Sequence, residues 1–170
     1  MNAGGPEGRG PYASRMTRFT GIADLLARDE LGTSGWHTVD QSRIDRFAEV
    51  TGDRQWIHVD PRRAAGEGPF GGTIAHGALT LSLCVTFLTE ILHVDGVTFV
   101  VNGGFDKVRF QAPVRAGARL RGVVRLLESR PLGSGARIVV RTRAEIEGEK
   151  RPACVADQVL ALYTGPGPSA

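Results

Sequence analysis

The chain has 170 residues, of which 41% are hydrophobic and 23% are charged, with a formal net charge of +3. This length predicts one domain, and the balanced composition argues against a disordered body or a membrane protein. The longest apolar run, residues 74–88, is interrupted by His76, Ser82 and Thr86 and is too short to span a bilayer. We therefore expect a folded cytoplasmic protein with one core.

The two ends differ in composition from the body. Residues 1–17 contain many glycines and scattered charges without an apolar stretch, so they predict a disordered tail and not a signal peptide. Residues 165–170 predict a flexible C-terminal tail, which leaves 18–164 as the folded domain. Cys84 and Cys154 lack metal-like spacing and are predicted to be buried free thiols, as suits a reducing compartment.

Basic residues are concentrated in the second half of the chain. From Lys107 to Arg151 there are twelve Lys or Arg against four Glu. Strands with one wet face commonly carry such charges, and aromatic residues do not interleave with them as they do in single-strand binders. Nucleic acid is therefore not an expected partner, whereas a phosphate-bearing ligand stays open.

The first third of the chain predicts short elements in sequence. FTGIADLLAR favours a short helix and WHTVDQ a strand. RIDRFAEVTG has helical spacing, with Ser42 as the predicted N-cap and Gly52 just past its end. Pro61 is placed to open another short helical turn in PRRAAGEG.

The rest of the chain predicts a long helix followed by a sheet. Residues 73–93 are apolar on every side of a helix, which is typical of a buried one. Four stretches predict strands joined by short turns as antiparallel neighbours: 97–112, 118–130, 136–148 and 152–163. The predicted fold is therefore α+β, a single hot-dog domain whose long central helix is wrapped by a curved antiparallel sheet. Its exposed edges favour pairing with a second copy.

The loop TGDRQWIHVD, residues 51–60, contains two apolar side chains among polar ones. Burial of Trp56 and Ile57 would pin the loop down, and Asp53 and His58 can meet only if it folds back. A carboxylate and an imidazole beside an apolar cavity form a general acid/base pair, with pKa values brought toward neutrality. The alternative is that Asp53 caps a turn and His58 satisfies a carbonyl.

The stretch PFGGTIAHGAL precedes and enters the predicted long helix. The amino end of a helix presents unpaired N–H groups and a positive dipole end, which can stabilise an oxyanion. Gly77 is costly in a helix, a cost that makes sense if its N–H faces a substrate. The alternative is that Gly77 only permits close packing, and His76 is interpreted as structural.

The two stretches TGDRQWIHVDPRRA and FGGTIAHGALTLSL resemble the MaoC-type (R)-specific enoyl-CoA hydratases of the hot-dog superfamily, in the nodulation-protein-N-like branch. The resemblance runs over residues 20–163. It implies that Asp53 and His58 are the catalytic pair and that Gly77 polarises the thioester carbonyl. It further implies reversible syn hydration of a trans-2-enoyl thioester of CoA or acyl carrier protein, no metal or redox cofactor, and a homodimer.

The chain departs from the family pattern in two places. Gln55 and Trp56 stand where many hydratases have Asn-Pro, which leaves the Asp/His pair intact. The triplet 102–104 is Asn-Gly-Gly instead of Asn-Tyr-Gly, which is expected to reshape the acyl pocket. Arg62, Arg63 and Lys107 are interpreted as solvated surface residues.

Two other functions fit the same fold. A hot-dog thioesterase usually needs a carboxylate on the central helix, where this chain offers Glu90 near the far end. A non-catalytic acyl-thioester-binding subunit would have lost the Asp/His pair, and both residues are present here. Hydration is therefore the favoured interpretation.

Overall fold

The computed structural model describes residues 18–165. The predicted tails, 1–17 and 165–170, lie outside this range except for Gly165 and remain predictions. The described helices are α1 Ile22–Leu26, α2 Gln41–Thr51, α3 Trp56–Val59, α4 Pro61–Glu67 and α5 Gly77–Ile91. The described strands are β1 Arg18–Phe19, β2 Glu30–Thr33, β3 His37–Val39, β4 His93–Val94, β5 Phe99–Phe110, β6 Ala118–Leu132, β7 Gly135–Ile146 and β8 Cys154–Tyr163.

Helix α5 is wrapped by a six-stranded antiparallel sheet. The strand order is β2-β6-β7-β8-β5, with β3 also paired to β6. The apolar face of α5 is buried against the sheet, and Phe87 at its centre is 0% exposed. This arrangement confirms the predicted α+β hot-dog fold. No helix within residues 18–165 has both the length and the apolarity needed to cross a membrane.

All four predicted strands are present, but the pairing of one of them was predicted wrongly. Strand β5 pairs with β8 and not with β6, its neighbour in sequence. The connecting residues 111–117 pair instead with the segment in front of α5: Ala75 N–H donates to Val114 C=O at 2.7 Å, and Ala116 N–H to Thr73 C=O at 3.0 Å. The connection therefore fixes the position where α5 begins.

The observed first residues of α2 and α5 correct two other predictions. Helix α2 begins at Gln41, and its N-cap is Asp40, not Ser42, because the Asp40 carboxylate accepts from Arg43 N–H at 2.8 Å. Helix α5 begins at Gly77 and not at residue 73, since residues 73–75 are used in pairing with the 111–117 connection. Gly52 ends α2 in the left-handed conformation, φ 78°, as predicted.

The core between α5 and the sheet contains both cysteines. Cys84 of α5 and Cys154 of β8 are buried free thiols, as predicted. A hydrogen bond with Cys154, together with burial, raises the pKa of Cys84, so this thiol stays protonated.

Candidate active site

The loop after α2 folds back and brings Asp53 close to His58. Gly52 turns the chain at the end of α2, and α3 then begins at Trp56. Side-chain donor atoms of Asp53, His58 and His76 all lie within 4.8 Å of one another. Two groups at this separation can share one water molecule through bent hydrogen bonds.

His58 is buried and held in one orientation. Its side chain is 7% exposed, and its Nδ1–H donates to Ile74 C=O at 2.7 Å. A carbonyl can only accept, so the proton is on Nδ1 and the Nε2 lone pair is available while the ring is neutral. Burial lowers the pKa of His58, which keeps the ring neutral at neutral pH.

The backbone of His58 is anchored as well. Gln41, the first residue of α2, donates from Nε2 to His58 C=O at 2.8 Å and to Asp45 Oδ1 at 2.7 Å. The Gln41 Oε1 atom accepts from Thr73 Oγ1. One amide therefore connects α2, α3 and the segment leading to α5.

Asp53, Trp56 and Ile57 are more exposed than the sequence predicts. The Asp53 side chain is 56% exposed in the single chain and does not lie in an apolar cavity. Trp56 and Ile57 are only half-buried, and the Arg63 guanidinium lies 4.4 Å from the centroid of the Trp56 ring. Trp56 and Ile57 are less buried than predicted because the short helix α3 directs His58 inward instead.

His76, interpreted from sequence as structural, is the third member of the cluster. It is 3% exposed and stacks on His58 with ring centroids 3.8 Å apart. Its Nε2–H donates to Asp53 C=O at 2.9 Å and lies 3.9 Å from Asp53 Oδ2. His76 therefore ties the Asp53 loop to the start of α5, a role signalled in the sequence only by its position before Gly77.

One carboxylate and two imidazoles are donor types found in metal sites. Here the rings of His58 and His76 are stacked at an interplanar angle of 27°. The lone pairs of imidazole lie in the ring plane, so stacked rings direct them side by side and not toward a common point. The two rings therefore do not offer a common coordination point for one ion.

Gly77 is the first residue of α5, so the helix itself does not use its N–H. A Cβ atom added at Gly77 would lie 3.1 Å from Cζ of Phe110. Both residues line a cleft of about 340 Å³ together with Phe70, Thr80 and Pro113. The structure thus places the helix end beside an open cleft, and the lack of a side chain there also permits the approach of Phe110.

Comparisons with known proteins identify the family of this chain. Residues 26–149 match the family model of the MaoC-like domain. This chain belongs to the MaoC-like dehydratase family.

The relatives of this MaoC-like chain extend over most of its length. It is similar to 3-hydroxyacyl-thioester dehydratase Z of Mycobacterium tuberculosis H37Rv, at 45% identity over 148 residues, 85% of this chain and 97% of that protein. It is also similar to Nodulation protein N of Rhizobium leguminosarum bv. viciae, at 46% identity over 151 residues, 85% of this chain and 92% of that protein. The family resemblance stated from the sequence is therefore confirmed.

The fold of the MaoC-like chain is shared with a solved structure. The R-hydratase PhaJ1 from Pseudomonas aeruginosa, in its unliganded form, superposes with a TM-score of 0.69 at 23% identity. The match covers 89% of this chain and 96% of that one. At this identity the likeness concerns the fold.

Proposed function

We propose that this protein catalyses the reversible syn hydration of a trans-2-enoyl thioester to a (3R)-3-hydroxyacyl thioester. The observation that carries the proposal is a buried, neutral His58 within 4.8 Å of the Asp53 carboxylate, next to the amino end of α5. The similarity to a relative named 3-hydroxyacyl-thioester dehydratase supports it. The thioester is one of CoA or of acyl carrier protein.

In the hydration direction, one water is bound between Asp53 and His58. His58 Nε2, whose lone pair is left available by the Nδ1 hydrogen bond, is the base that takes a proton from this water. The hydroxide adds to C3, and the two electrons of the double bond move toward the thioester oxygen. The pair then delivers one proton to C2, so one water is consumed and both catalytic groups return to their starting state.

The charge that develops on the thioester oxygen needs stabilisation. Gly77 N–H, unpaired within α5 and at the positive end of the helix dipole, is the proposed donor to that oxygen. His76 is a positioning residue in this scheme, because it contacts His58 and the Asp53 backbone. Dehydration follows the same steps in reverse.

The thioesterase alternative is weakened by the surroundings of Glu90. Glu90 is the single carboxylate of α5. Its Oε1 pairs with His37 Nε2 at 2.5 Å, and its Oε2 accepts from Gly35 N–H at 3.0 Å. A carboxylate engaged on both oxygens at the far end of the helix is poorly placed to activate a water for hydrolysis.

The same proposal includes a homodimer formed through the outer edge of β5. Within residues 18–165, β5 pairs on one side only, with β8. Its first residues, Phe99, Val100 and Val101, are 38–45% exposed although they are large and apolar. A long apolar edge strand favours pairing with a second copy, which would also cover groups that are exposed in the single chain.

The dimer proposal is tested by sedimentation or light scattering. Val101→Lys is expected to shift the protein toward monomer, since it places a charge on the proposed edge. Val50→Lys is the matched control, because Val50 is 86% exposed and belongs to α2, which is not part of the sheet. Equal assembly of both variants with the wild type would contradict the β5 interface.

The reaction itself is tested with wild-type protein and crotonyl-CoA. Loss of the absorbance of the conjugated enoyl thioester without release of free thiol, with (3R)-3-hydroxybutyryl-CoA as product, is the expected result. Release of free thiol would assign hydrolysis instead. Absence of reaction with crotonyl-CoA, longer enoyl-CoAs and enoyl-acyl carrier protein would leave a binding subunit.

A further inference from the structure

A second cleft, of about 220 Å³, lies between the later turns of α5 and strands β5 and β8. Its walls are mainly apolar, and two carboxamide side chains interrupt them. The lining includes the apolar residues Val85, Leu88, Val100 and Leu160 and the amides Asn102 and Gln158. The cleft is separate from the Asp53 cluster and contains part of the Asn102–Gly104 triplet that departs from the family pattern.

Gln158 is the unusual residue of this cleft. It is 0% exposed, and neither its Oε1 nor its Nε2 has a hydrogen-bond partner among the described residues. It lies on the inner face of β8 between buried Ala156 and Leu160, opposite Val140 of β7. A buried amide without partners is costly, so its presence on the wall of a cleft points to a ligand group that completes its hydrogen bonds.

The cleft is in line with the proposed thioester site. Strand β5 meets α5 near both ends of the helix: Phe110 lies against Gly77 at one end, and Val100 lines the second cleft with Val85 toward the other. Gly77, Leu81 and Val85 are four residues apart, so they follow one side of the helix. At 1.5 Å per residue, Val85 and Leu88 are about 12–16 Å along the axis from Gly77, a distance that an acyl chain of medium length spans.

The proposed hydratase function places the acyl chain in this cleft, and we propose that the Gln158 amide hydrogen-bonds an oxygen substituent near the far end of that chain. The apolar walls suit methylene groups. The amide N–H can donate to a hydroxyl or a keto oxygen, and the amide oxygen can accept from a hydroxyl. The inference rests on the proposed hydratase function and deepens it: the substrate class is a medium-chain 2-enoyl thioester with an oxygen function near its far end.

The test compares kcat/KM for trans-2-dodecenoyl-CoA with that of its 11-hydroxy and 11-oxo derivatives. The wild type is expected to prefer the oxygenated chains about tenfold, equivalent to about 1.4 kcal/mol. Gln158→Met keeps the side-chain size and removes the amide, so the preference is expected to disappear. Thr142→Val is the matched control: Thr142 is a buried residue of β7 whose hydroxyl also has no partner among the described residues but which does not line the cleft.

The outcomes separate the two proposals. If the wild type hydrates crotonyl-CoA yet shows no preference for the oxygenated chains, the Gln158 inference is wrong and the proposed function stands. Equal loss of preference in Thr142→Val and Gln158→Met would also overturn the inference, since the effect would then come from the core in general. If the wild type hydrates no enoyl thioester, both proposals fail. If Gln158→Met does not fold, the preference of the wild type for oxygenated chains decides whether the Gln158 inference holds.

Discussion

The contact between Gly122 of β6 and Phe87 of α5 predicts a large effect from a single methyl group. A Cβ atom at residue 122 would lie 2.6 Å from Cβ and 2.7 Å from Cδ2 of Phe87. Because Phe87 is 0% exposed and the clash includes its Cβ, a side-chain rotation cannot relieve it, and helix or strand must shift. Overpacking of this kind costs about 1–3 kcal/mol.

Gly122→Ala is therefore expected to lower the Tm by about 2–12 °C, at roughly 2–4 °C per kcal/mol for a chain of this size. Gly66→Ala is the matched control, because Gly66 lies within α4 with no atom within 4 Å of the added Cβ. That change should stabilise the protein by about 0.5–1 kcal/mol. Thermal and urea unfolding measure both variants. A Gly122→Ala protein as stable as the wild type would refute the close packing of α5 on β6.

Two further predictions concern the site. The folded-state pKa of His58 is lowered from its ordinary 6.5, so the unfolded chain binds a proton that the folded chain does not as pH falls below 6.5. The free energy of unfolding should therefore decrease over that window, and it should decrease less in His58→Gln. Identical pH slopes in wild type and His58→Gln would contradict this. Gly77→Ala should fold but displace the Phe110 ring and lower kcat/KM for enoyl-CoA about 10²-fold. Adding Phe110→Ala should recover part of that loss, and no recovery would show that the steric reason is wrong.

Much of the fold could be predicted because its patterns are local. The alternation along β7 and the all-round apolar character of α5 follow directly from residue spacing. The pairing of β5 with β8 could not be predicted, since the short 111–117 connection favours a hairpin with β6 in the sequence. The backbone groups of the 111–117 connection instead pair with residues 73–75, a contact between segments far apart in the chain.

Part of the candidate site follows from the sequence. Asp53 and His58 are candidates because the apolar Trp56 and Ile57 stand between them in a polar loop, and Gly77 is a candidate because glycine is costly in a helix. The stacking of His76 on His58 depends on how α3 meets the start of α5, and no spacing signals it. Gln158 occupies an ordinary inward position of a strand, and only the packed structure shows that its amide has no partner among the described residues.

The most direct test of the hydratase is the kcat/KM for crotonyl-CoA in Asp53→Asn and His58→Gln proteins. Removal of a general acid/base group lowers the rate about 10²–10⁴-fold. Both variants should therefore lose at least about 10²-fold in kcat/KM while remaining folded. Asp60→Asn is the control, because Asp60 caps α4 by accepting from Arg63 N–H at 2.9 Å and belongs to no part of the Asp53–His58–His76 cluster. Near wild-type turnover in either Asp53→Asn or His58→Gln would contradict the proposed catalytic pair.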